Sequence, residues 1–128
     1  MISLALLLQL AAPTDFNSLP VLQLVHRTPD QPGATSLFVR DEIRAGRCVA
    51  TVQPVASGRV QMTVDVAVLV HPTGAIRAVV PRAIGCPSVE QYAAGLISRI
   101  VRGNVPPPGA ERWFRTPITF SWAQAPAQ

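Results

Sequence analysis

Between residues 60 and 70 the chain alternates without a break, Val60, Met62, Val64, Val66, Val68 and Val70 against Gln61, Thr63, Asp65, Ala67 and Leu69. A period of two held this long requires a β-strand with one buried face, because successive side chains of a strand point to opposite sides. Such a strand needs both a pairing partner and an apolar cover, and the following residues supply them in turn. His71, Pro72, Thr73 and Gly74 form a turn in which Gly74 is free to take positive φ. A second strand follows at residues 75–81, placing Ile76, Ala78 and Val80 on the core side. A loop this short makes the pair antiparallel.

The cover is a helix over residues 87–102. Pro87 suits its first position, and Ser88 with Gln91 offers a capping box. Val89, Tyr92, Ala93, Leu96, Ile97, Ile100 and Val101 recur at three- and four-residue steps and form one apolar stripe. Arg99 and Arg102 suit the dipole at the last turn, Gly103-Asn104 ends the helix, and Pro106, Pro107 and Pro108 prevent its continuation. A final strand spans residues 113–122, with Phe114, Thr116, Ile118, Phe120 and Trp122 alternating against Trp113, Arg115, Pro117, Thr119 and Ser121. Pro117 makes it an edge strand or bulges it.

Upstream, residues 36–45 read as a short helix capped by Thr35 or Ser36 and stopped at Gly46. Val39 and Ile43 share its apolar face, and Arg40, Asp41, Glu42 and Arg44 are expected in solvent. Residues 48–55 form a plausible strand interrupted by Pro54. The expected fold is therefore α+β: a small antiparallel sheet, made of the hairpin 60–70/75–81 and the strand 113–122, carrying one long helix on one face and a short N-terminal helix.

Residues 4–12 form an apolar run ending in small residues. Its length is that of a signal-peptide core and far below the ~20 residues of a membrane helix. An export signal over residues 1–12 is the favoured reading, although Met1-Ile2-Ser3 lacks a basic residue; a packed apolar terminus is the alternative. Residues 13–34 read as an irregular connector, 35–122 as the domain and 123–128 as a disordered tail. Pro20 limits the apolar piece at residues 19–25 to an edge strand at best.

The net charge is +4 and every basic side chain is arginine, but the arginines are scattered from Arg27 to Arg115 without runs or interleaved aromatics. That distribution argues against a nucleic-acid partner. Cys48 and Cys86 are the only cysteines. They form a disulfide if the protein is exported and are buried thiols if it is not. Neither His26 nor His71 stands at metal-ligand spacing from them, so no metal or other cofactor is expected. Cys86 at a helix N-terminus is a candidate nucleophile of a small exported thiol enzyme. The carboxylates are isolated and no phosphate-binding glycine loop is present, so the expectation is a binding protein without a catalytic site.

The order of strand, glycine turn, strand, helix, proline break and aromatic strand over residues 60–122 resembles the C-terminal domain family of TonB- and TolA-like periplasmic proteins. The segment VDVAVLVHPTGAIRAVVPRAIG matches the family's hairpin, and Gly85 the glycine that precedes its helix. Val89-Glu90 stands at the Leu-Asp that opens that helix, Val105-Pro106 at the aromatic-x-Pro exit, and ITFSW at the closing strand. Ile84 and Cys86 depart from the serines of the pattern. The resemblance implies a periplasmic module that binds an envelope or outer-membrane protein or peptide by adding a strand to the sheet. The residues it implicates are Trp113, Arg115 and Thr116, with Phe114 and Ile118 packing in the sheet. No membrane span and no coupling to an inner-membrane motor are expected of this chain. Pairing of exposed edges into a homodimer is a further reading.

Overall fold

The computed structural model describes residues 13–26, 33–48, 52–55 and 58–124. The expected export signal at residues 1–12 lies outside them, as does the tail beyond residue 124. Six elements follow a 3-10 turn at Phe16–Ser18: α1 (Gly33–Arg44), β1 (Gln53–Val55), β2 (Arg59–Val70), β3 (Ile76–Pro81), α2 (Pro87–Val101) and β4 (Arg112–Ala123). The expected α+β class holds, with an antiparallel sheet of four strands and two helices.

β2 is the spine of the sheet. β4 pairs with one edge of it over its whole length, from Arg59↔Ala123 to Val70↔Arg112. β1 and β3 share the opposite edge, β1 at Gln53↔Gln61 and β3 from Val66↔Pro81. Val64, Val66, Val68 and Val70 are wholly buried on the face covered by α2, together with Val89, Ala93, Ile97 and Val101 of that helix and Ile118, Phe120 and Trp122 of β4. The strict alternation stops mattering near the C-terminal end of β2, where Ala67 and Leu69 on the other face are buried too. On that face Ala67 lies between Val80 and Arg115, and Leu69 between Ala78 and Trp113.

Four local expectations change. In β3 the core-facing residues are Ile76 and Val79, not Ala78 and Val80. The register jumps from Leu69↔Ala78 to Val70↔Ile76, and this bulge at Arg77 resets the alternation by one residue. At the start of α2, Ser88 and Gln91 do not form the capping box. Cys86 is the N-cap, and the Glu90 carboxylate accepts the N–H groups of Ile84 and Cys86, both at 3.0 Å. α1 begins at Gly33, so Ser36 lies inside it rather than capping it. Finally, Glu42 is buried instead of solvated, because it bonds Arg47 at 2.7 Å and Ser88 on the neighbouring helix.

α1 is tied to the rest by ring contacts and by sulfur. Phe38 lies 4.5 Å from Tyr92 of α2, and Tyr92 lies 6.0 Å from Phe120 of β4. The turn from β2 to β3 needs Gly74 for two reasons: its φ is +93°, and a Cβ there would meet the Val105 carbonyl at 2.7 Å. Cys48, just beyond α1, forms a disulfide with Cys86 at the N-cap of α2. The bridge spans 38 residues of sequence, and closing such a loop in the unfolded chain is worth about 4 kcal/mol on the chain-entropy account. Denaturant unfolding of the oxidised protein and of Cys48→Ser/Cys86→Ser should therefore differ by roughly that amount, with the sheet and α2 retained in the variant.

Candidate partner-binding edge

β4 is the strand that the family resemblance implicates in partner binding, and its register decides which backbone groups are available. Arg115 lies opposite Ala67. Its N–H nevertheless donates to the Pro20 carbonyl at 2.8 Å, and its C=O accepts from the Leu22 N–H at 2.9 Å. Arg115 thus turns its backbone away from β2, and the alternation of an antiparallel ladder puts Trp113, Pro117, Thr119 and Ser121 in the same phase. The missing N–H of Pro117 falls on the outer edge, where the sheet loses no ladder bond.

Part of that edge is already occupied by this chain. Val21 forms a parallel bridge with Arg115, and Leu22 is buried beside it. Residues 20–26 then run as a strap to the end of α2, where Asn104 holds them. The Asn104 side chain accepts the His26 N–H at 2.7 Å and donates to the His26 C=O at 2.9 Å, so a primary amide pairs as a strand would. The same nitrogen also donates to the Ile100 carbonyl at 3.1 Å, and the Asn104 C=O accepts from the Val25 N–H. Farther along the edge, the Ser121 N–H donates to Ser36 Oγ of α1 at 3.0 Å. Thr119 keeps an outward N–H with no partner among the described residues.

Of the three implicated side chains, Trp113 and Arg115 share the sheet face away from α2, and Thr116 lies on the other. Trp113 is half-buried opposite Leu69. Arg115 is 3.6 Å from Asp65, which meets Arg82 at the same distance through its other oxygen. These pairs are long, and Arg115 Nε is buried without a hydrogen-bond partner among the described residues. Thr116 is buried on the core side, its hydroxyl likewise without a partner among the described residues. Its backbone points to β2, so it offers an incoming strand neither side chain nor main chain.

Sequence reasoning did not reach Asn104, which reads as an ordinary helix stop, nor Ser36, which reads as a cap. A helix-terminating asparagine followed by three prolines is the one local signal for the clamp. Cys86 carries no free thiol and is fully buried in the disulfide. Among the described residues, no group of three or more His, Cys, Asp and Glu is placed to hold a metal ion. No helix among them is long and apolar enough to cross a membrane.

The titratable group that responds to this architecture is Glu42. The hydrogen bond from Ser88, and then that from Arg47, holds its pKa below the ordinary 4.5. A carboxyl depressed in the folded state adds stability above its unfolded value, and that stability is lost as pH falls through the lower folded value. Unfolding measured from pH 7 to pH 3 should therefore show a loss below about 4.5 that is reduced in Glu42→Gln. Comparison with protein-family models, curated proteins and solved structures finds no match to this chain.

Proposed function

We propose that this protein is an exported, periplasmic interaction domain resembling the TonB C-terminal domain, and that it binds an extended segment of an envelope or outer-membrane protein on the outer edge of β4. The observation that carries the reading is the pair of main-chain hydrogen bonds in which Arg115 donates to Pro20 and accepts from Leu22. They mark β4 as an edge that takes an extended chain through its main-chain groups, the basis of recognition by strand addition. The Cys48–Cys86 disulfide supports an oxidising compartment. It also commits the thiol that a Cys86-based enzyme requires, which favours binding over catalysis.

An incoming strand and the strap compete for the same backbone groups of Arg115. The strap is held by its bonds to Arg115 and Asn104 and by Leu22 in the core. None of those bonds belongs to the ladder between β2 and β4, so displacing residues 20–26 exposes the edge and leaves that ladder's bonds in place. Trp113 and Arg115 then give side-chain selectivity on the open face. Thr119 supplies a further outward N–H beyond Pro117, which limits the paired stretch to two short runs.

The test is capture of partners from envelope extract by the oxidised protein, alongside two variants. Asn104→Ala loosens the strap and should raise the recovery of the bound protein. Thr119→Pro removes an outward donor without breaking the ladder to β2, and should lower it. Equal recovery by all three proteins would exclude the β4 edge as the binding surface.

A further inference from the structure

The sheet has a second edge, and it borders a groove. β3 has β2 on one side and no strand on the other among the described residues. A groove of about 750 Å³ runs along residues 73–79 and is closed on the far side by Ser98, Arg102 and Gly103 at the end of α2. Ile76, Val79 and Val105 are among the apolar residues that line it.

The register identifies the free backbone groups. Arg115 turns away from β2, so Ala67 opposite it turns its N–H and C=O to β3, where it faces Val80. The Arg82 N–H donates to the Asp65 carbonyl at 2.8 Å, two residues along each strand and in the same phase. Val79 therefore directs its N–H and C=O outward into the groove, between the bulged Arg77 and Pro81, which has no N–H to offer. A single outward residue offers two main-chain bonds, one donated by its N–H and one accepted by its C=O. That is the arrangement by which Arg115 holds the strap on the opposite edge.

Charge selects among extended chains. Ser98 of α2 and Arg102, the C-cap residue of that helix, both line the groove opposite β3. Arg102 is exposed and has no ion-pair partner among the described residues. Arg77 on the near wall is half-exposed and pairs with Glu111 at 3.1 Å. The carbonyl end of α2 contributes about half a negative charge, which the Arg102 guanidinium more than offsets.

We infer that the groove between β3 and the C-terminal half of α2 binds an extended peptide segment of another protein, added to β3 at Val79, with a carboxylate side chain meeting Arg102. This surface lies on the opposite edge of the sheet from β4 and does not depend on how that edge is used.

Titration of the oxidised protein with a capped octapeptide of alternating valine and glutamate tests it, followed by amide chemical shifts and by fluorescence anisotropy. The matched valine–lysine peptide is the control. The acidic peptide should bind saturably and shift residues 77–79 and 98–103, whereas the lysine peptide should not. Arg102→Glu should weaken binding about fivefold or more, and raising the salt concentration should weaken the wild-type complex. Val79→Pro should abolish binding by removing the outward N–H. Arg102→Glu, at an exposed helix end, keeps the test decisive if the proline variant loses stability. Absence of saturable binding, equal binding of both peptides, or shifts confined to residues 113–121 would overturn the inference. The last of these outcomes would leave the β4 edge standing.

Discussion

The structure depends on the pairing of β2 along both of its edges. β4 takes one edge from end to end, while β1 and β3 divide the other. This places the most apolar strand at the centre and leaves the outer edges of the sheet to β3 and β4. It also accounts for an alternation that reads as one-sided but is buried on both faces over residues 66–70. An inward row of valines then fixes where α2 must lie, and α2 fixes the disulfide, because Cys86 is its N-cap.

The two sheet edges are managed differently. An uncovered strand edge is a template for unwanted pairing, and on β4 the chain blunts it with its own strap, the Ser36 hydroxyl and Pro117. On β3 the strand is short, bulged at Arg77, ended by Pro81 and flanked by arginine, devices that shorten the open stretch to the neighbourhood of Val79. Both edges thus retain only a few main-chain groups for a partner. On the proposed readings, recognition through so few bonds draws on side chains, which is the role given to Trp113, Arg115 and Arg102.

Most of the fold was legible from residues 60–122, because a period of two, a glycine turn and a helical stripe bounded by Pro87 and Gly103 each rest on local geometry. The failures share a cause: they depend on partners distant in sequence. The β3 bulge inverts which residues face the core, and no local pattern marks Arg77. Glu42 looks solvated until Ser88 of α2 is brought beside it. Ser36 and Asn104 look like helix punctuation, but each spends its polar atoms on another element. The implicated edge residues were only partly readable, since a period of two separates Trp113 and Arg115 from Thr116 but cannot say that residues 20–22 already occupy the edge.

The central claim is that β4 holds the strap as a separable strand, by bonds that open without unfolding the sheet. Native-state hydrogen exchange at Arg115 and Thr116 tests it most directly, because the first amide faces the strap and the second faces β2. The account predicts that Arg115 exchanges faster than Thr116, and that Asn104→Ala accelerates Arg115 alone. Equal protection of the two amides, or their joint acceleration in the variant, would show the strap to be an inseparable part of the sheet and contradict the account.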